Sequence, residues 1–126
     1  MYLLLDSTFL IDLLRGDPAA RIRLGRIYED GDDPYLNDVV LCEVRTGLLP
    51  KDVGHFEEAV RYLGFVQPGP DVATRAGEWR ADSRRHGRVL SLGDALIASA
   101  AHSLKGAVLT RNVCDFAQTP VRVESY

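Results

Sequence analysis

Two short runs, YLLL at residues 2–5 and AVLT at residues 107–110, are apolar almost throughout, with no alternation of polar positions. Runs of about four such residues are too short for a helix and offer no face to water, so they read as strands buried on both sides. Elsewhere the apolar residues recur at helical spacing. Strands alternating with helices imply a parallel sheet covered on both faces, an α/β fold. Functional groups in such sheets gather at the carboxyl ends of the strands. Asp6 and Thr110 stand at two of those ends.

Thr8 to Arg15 reads as a helix with Phe9, Leu10, Leu13 and Leu14 on one side, stopped by Gly16. Asp17 then caps a second helix with Pro18 at its first position. Ala20, Leu24, Ile27 and Tyr28 are expected to face inward, and GDDP at 31–34 reads as a loop. Asn37 or Asp38 caps a third helix running to about Leu49, with Val40, Val44 and Leu48 on one face and Pro50 ending it. A fourth helix, from Asp52 or Val53 to Leu63, turns Phe56, Val60 and Leu63 inward; Gly64 closes it, and FVQPG at 65–69 reads as a brief strand and turn. The fifth, Asp71 to about His86, carries Arg75, Arg80, Arg84 and Arg85. The sixth begins at Ser91 and ends at Gly106; it is apolar nearly all round and should be buried. Arg111 to Phe116 is a turn or short helix, and VRVE at 121–124 a last strand. This reading places four helices in the first crossover.

Composition excludes several classes. Hydrophobic residues at 46% and charged residues at 26% suit a globular chain, and 126 residues suit a single domain spanning 1–126. The longest apolar runs fall well below the roughly 18 residues of a membrane span. The segment YLLLDSTFLIDLL has no basic flank and is broken by Asp6 and Asp12, which argues against a signal peptide. Cys42 and Cys114, 72 residues apart, match no zinc or redox spacing and read as reduced thiols of a cytoplasmic protein. His55, His86 and His102 show no zinc spacing either. The net charge is −3, with 12 acids and 6 bases in residues 1–60 against 6 and 9 in residues 61–126. So acidic a chain does not bind nucleic acid by bulk charge; it needs a basic stripe or a bound cation.

Four acids stand at or near element ends amid apolar sequence: Asp6 after the first strand, Glu43 near the start of the third helix, Asp94 opening the sixth, and Asp115 just past AVLT. Each has a plain reading. Asp6 can cap the helix from Thr8, Ser91-x-x-Asp94 is a capping-box pattern, Glu43 fits a helix surface and Asp115 a turn. Asp12, Asp17 and Asp38 are assigned to surface or caps. Together the four acids suggest one shared pocket. Two unit charges about 4 Å apart repel by roughly 4 kcal/mol at an effective dielectric near 20. A proton or cation relieves this. Hard oxygen ligands select Mg²⁺ or Mn²⁺, and such an ion can activate water and assist in-line displacement at phosphorus.

The same residues carry a family pattern. The sequence resembles a PIN-domain ribonuclease, the VapC-type toxin of a type II toxin–antitoxin system. LLLDSTFLIDLLRGD resembles the first motif, with Asp6-Ser7-Thr8 where Asp-Thr is commoner; CEVRTGLL resembles the second with Glu43, LGDALIASAA the third with Asp94, and LTRNVCDF the fourth with Thr110, Asn112 and Asp115. The resemblance spans nearly the whole chain. It implies a three-layer sandwich and a metal-dependent endoribonuclease that acts on structured RNA such as transfer or ribosomal RNA. It further implies a homodimer, blocked by a VapB-type antitoxin. By the same analogy Asp6 and Asp94 would hold Mg²⁺ or Mn²⁺, Glu43 and Asp115 would join them as catalytic acids, and Ser7, Thr110 and Asn112 would support them. Either Asn112 or Asp115 fills the fourth acidic position.

Three rivals remain: a non-toxin RNA-processing PIN nuclease, a non-enzymatic PIN-like binding module whose acids only cap helices, and a phosphatase or receiver domain using Asp6 as nucleophile. The last would want a second Asp at position 8, where this chain has Thr, or a Lys after a late strand, where it has Arg111.

Overall fold

The computed structural model describes residues 1–67 and 69–126. Five strands, β1 (Tyr2–Leu5), β2 (Asp33–Asn37), β3 (Gly64–Val66), β4 (Ala107–Leu109) and β5 (Arg122–Glu124), form one all-parallel sheet in the order β3-β2-β1-β4-β5. Around it lie α1 (Ser7–Leu14), α2 (Pro18–Glu29), α3 (Asp38–Gly47), α4 (Val53–Val60), α5 (Pro70–Arg85), α6 (Leu92–Ser103) and α7 (Val113–Phe116). The chain winds from β1 towards β3 and then crosses back to β4. Crossovers of one hand running in opposite directions put helices on both faces, as a sandwich requires. The direction reverses between β1 and β4, which pair Leu3 with Ala107 and Leu5 with Leu109. Among the described residues no helix is long and apolar enough to cross a membrane.

The centre of the sheet is dry. Leu3, Leu4, Leu5, Val108 and Leu109 are fully buried, and α6 packs on β1 and β4 with Ile97, Ala98 and Ala101 sealed against them. Small residues along α6 let it lie close to the strands and to α5. Arg75 and Arg80 fasten α5 to this layer: Arg75 donates to the Ser99 carbonyl and Oγ at 3.2 Å each, and Arg80 donates to the Leu90 carbonyl at 3.1 Å.

One strand departs from expectation. Asp33–Asn37, DPYLN, is an interior strand between β1 and β3, although its first residues read as a loop. Pro34 cannot donate to a ladder, yet it lies buried opposite Leu3. The first crossover therefore carries only α1 and α2. Tyr28 is 56% exposed, because Ala20 and Ile27 supply the inward stripe of α2. The strand expected within 65–69 is Gly64–Val66, and residue 68 of that segment lies outside the described residues. Glu43 stands in the middle of α3, not near its start.

Four helices end in the same pair of bonds. In α1, α2 and α5 the left-handed residue after the cap is Gly16, Gly31 or Gly87. In α6 the amides of Lys105 and Gly106 reach the carbonyls of His102 and Ala101 at 3.0 Å each, but the left-handed position, φ 56°, is held by Lys105. That conformation costs an L-residue about 1 kcal/mol or more. Glycine serves the next position for a different reason: a Cβ on Gly106 would overlap the Tyr2 carbonyl at the start of β1. We expect Gly106→Ala to destabilise the fold by about 2 kcal/mol, read from the urea midpoint. A loss below about 0.5 kcal/mol would mean that the β1 backbone yields freely.

Candidate active site

Asp6 follows β1 at the point where the winding reverses, and only 4% of it is exposed. Its backbone turns there into α1, for which it is the N-cap. Oδ1 accepts the Ser7 amide at 2.8 Å. Oδ2 accepts two hydroxyls, Thr8 Oγ1 at 2.9 Å and Thr110 Oγ1 at 2.7 Å. Thr110, fully buried after β4, also accepts the Asn112 amide at 3.0 Å, so one hydroxyl links both central strands to the loop leading into α7. Hydrogen bonds to a charged acceptor contribute about 1.5–3 kcal/mol each, enough to hold a buried carboxylate in one rotamer.

The other three acids come to the same place. The carboxyls of Glu43 and Asp94 are both raised above the ordinary carboxylate range. For Glu43 the causes are partial burial, then the charges of Asp6 and Asp94, opposed by a hydrogen bond from Ser7. For Asp94 they are partial burial, opposed by a Ser91 hydrogen bond, then the charges of Asp6 and Asp115. These mutual repulsions join all four carboxylates in one cluster. Asp115 acts on Asp94 through its charge. Glu43 Oε2 would lie 3.5 Å from a Cβ on Gly93, so the α3 acid reaches across to the first turn of α6. Asp6, Asp94 and Asp115 sit at helix N-termini, where the dipole favours negative charge. Glu43, in mid-helix, lacks that compensation.

The capping roles are present as well. Ser91 Oγ accepts the Asp94 amide at 3.1 Å, and Asn37, not Asp38, caps α3 through the Val40 amide at 3.0 Å. Thr8, whose hydroxyl stands two residues beyond an acid at a strand end, supports Asp6 together with Thr110. Asp12 is no plain surface residue. It accepts the Tyr126 hydroxyl at 2.7 Å and pairs with Arg111 at 3.4 Å. Arg111 also meets Asp17 at 3.1 Å and stacks on the Tyr126 ring at 5.0 Å, which keeps its charge out of the acid cluster.

The family profile described as PIN domain matches residues 3–120. The chain belongs to the PIN domain family. Among similar proteins, Ribonuclease VapC19 of Mycobacterium tuberculosis is 27% identical over 117 residues, covering 93% of this chain and 94% of that one. VapBC2 from Rickettsia felis, solved bound to a DNA fragment from their promoter, superposes with a TM-score of 0.87 at 18% identity over 100% of this chain and 99% of that one. A toxin–antitoxin complex from Klebsiella pneumoniae gives 0.72 at 26% identity over 93% and 92%. The resemblance of the chain to VapC-type PIN proteins is matched by these relatives.

The donors of this PIN cluster are carboxylate and hydroxyl oxygens, the hard set that suits Mg²⁺ or Mn²⁺. Among the described residues, no group of three Asp, Glu, His or Cys side chains is arranged to hold a metal by itself. The linkage to pH has a definite sign. Glu43 and Asp94 bind protons more tightly folded than unfolded. Their stabilising contribution is full below about pH 4, the unfolded range, and is lost as pH rises through the raised folded values. In EDTA, Glu43→Gln should therefore raise the thermal midpoint at about pH 7 and flatten its fall from about pH 4. Calorimetric scans of variant and parent check this; a lower midpoint for the variant at neutral pH contradicts it.

Proposed function

We propose that this chain, as one PIN domain over residues 1–126, is the toxin of a VapBC-type type II toxin–antitoxin pair: a cytoplasmic, homodimeric, Mg²⁺- or Mn²⁺-dependent endoribonuclease. The observation that carries the reading is the convergence of Asp6, Glu43, Asp94 and Asp115, where partial burial and then the neighbouring charges raise the proton affinity of Glu43 and Asp94. The relatives named above supply the toxin assignment, and a VapB-type antitoxin is the partner they suggest.

Asp6 and Asp94 would hold the cation, with Asp6 braced by two hydroxyls on Oδ2 and by Ser7 at Oδ1. The bound ion supplies a Lewis acid and a water of lowered pKa for displacement at a phosphodiester. Glu43 has a carboxyl of raised proton affinity and is not locked into β1. It is suited to orient the attacking water and accept its proton on a carboxylate oxygen. Asp115 adds negative charge at the α7 side. Asn112 would support it with a side-chain carbonyl, and Thr110 and Ser7 would hold Asp6 in place. Structured RNA, transfer or ribosomal, is the substrate class.

A second reading has an observation behind it: Asp6 does cap α1, and Asp94 lies in a capping sequence. A binding module with acids used only as caps would not need Glu43, which caps nothing, and Ser91 alone already serves α6. We expect Asp6→Asn and Asp94→Asn to lower cleavage of structured RNA by more than about 100-fold with native-like circular dichroism. Purified Asp94→Asn cutting as fast as the parent would refute the site. Calorimetry with Mn²⁺ supplies the independent check: no uptake at about millimolar metal would favour the caps-only module.

A further inference from the structure

The amino ends of β4 and β5 lie at the opposite end of the sheet from Asp6 and Thr110. An open cavity of about 550 Å³ there is lined by Arg75, His102, Ser103, Lys105 and Arg122 together with small and apolar residues, and by no acid. The cations come from three elements: α5, the end of α6 and β5. Arg122 is paired with Glu124 at 2.7 Å, and Arg75 donates to Ser99. Lys105 enters no ion pair among the described residues. Counting Arg75, Lys105 and Arg122 against Glu124, the surface carries +2 without His102.

Helix-end electrostatics account for part of this. Lys105 and His102 complement the carbonyls ending α6, but Arg75 and Arg122 belong to other elements. The backbone gives a second, independent sign. Glycine holds the left-handed position in the equivalent turns after α1, α2 and α5, while here a long cation keeps it at φ 56°. Strain retained where glycine is the ready alternative points to a use for the side chain.

We propose that this cavity is a second contact for the RNA backbone, taking phosphates of the substrate away from the cut. This rests on the ribonuclease reading above. Phosphates position an RNA without apolar anchors, and the cavity is open and lacks the large aromatic anchor on which an acidic peptide would rely. Lys105 and Thr110 are five residues apart along an extended segment, about 17 Å. A short oligonucleotide at the acids does not span both places, whereas a long or folded RNA does.

The test uses a fluorescent RNA hairpin and a tetranucleotide. On the Asp94→Asn background, Lys105→Gly should weaken hairpin binding about 3- to 10-fold and reduce the slope of log Kd against log salt by about one. Lys105→Arg should restore both. With Asp94 intact, Lys105→Gly should raise KM for the hairpin, leave kcat unchanged and leave tetranucleotide cleavage at the parent rate. Its thermal midpoint should hold or rise, because glycine removes the strain, so the lost affinity is not lost fold. Unchanged hairpin affinity and slope overturn the proposal, as does an equal loss on the tetranucleotide. If polyglutamate loses affinity in Lys105→Gly while the hairpin does not, the cavity belongs to an acidic protein and the proposal is overturned. A parent that cuts neither RNA overturns the ribonuclease reading itself, and this inference with it.

Discussion

The hydrogen bond from Thr110 Oγ1 to Asp6 Oδ2, 2.7 Å long and buried, joins the ends of two strands that are 104 residues apart in sequence. It forms only if β1 and β4 pair in the observed register, with Leu5 beside Leu109. That register in turn needs the close approach at Gly106 and the small-residue face of α6 against both strands. The placement of one carboxylate therefore depends on packing across the whole sheet, and a slip of one residue would turn Asp6 away from the cluster.

Charge is arranged around that bond with little neutralisation. Three of the four acids draw support from helix N-termini, and hydroxyls supply the remaining contacts. Arg111, which directly follows Thr110, is committed to Asp12, Asp17 and Tyr126. An arginine free to pair with Asp6 or Asp94 would relieve the repulsion and remove the reason for a divalent ion to bind. Asp12 and Asp17, assigned to surface or caps, thus have an electrostatic role as well: they hold a competitor away.

Much of this was legible in the chain. The apolar runs marked β1 and β4, the Asp17-Pro18 and Ser91 starts marked α2 and α6, and the four acids stood out by position. Other features were not. β2 escaped because Pro34 and the acids before it carry turn chemistry, and only its neighbours on both sides make DPYLN a strand. Tyr28 escaped because helical spacing marks a stripe without fixing its edges. The tie of Arg111 to Asp12 and Tyr126 spans about the whole chain, and no local pattern encodes it. The nearness of Asp115 to Asp94 likewise depends on where α7 lies against α6.

The bonds around Asp6 also ration its valence. A carboxylate has about four lone-pair sites; Thr8 and Thr110 occupy both on Oδ2, and the Ser7 amide takes one on Oδ1. The Ser7 hydroxyl stands 3.5 Å from Oδ1 as well, so a metal held by Asp6 would meet it through one oxygen at most. Ca²⁺, which gathers six to eight oxygens and welcomes carboxylates bound through both atoms, would find a poor shell at such a group. A small octahedral ion completing its sphere with water would not. The two threonine hydroxyls, by filling one oxygen, brace the carboxylate and would at the same time bias it against large ions.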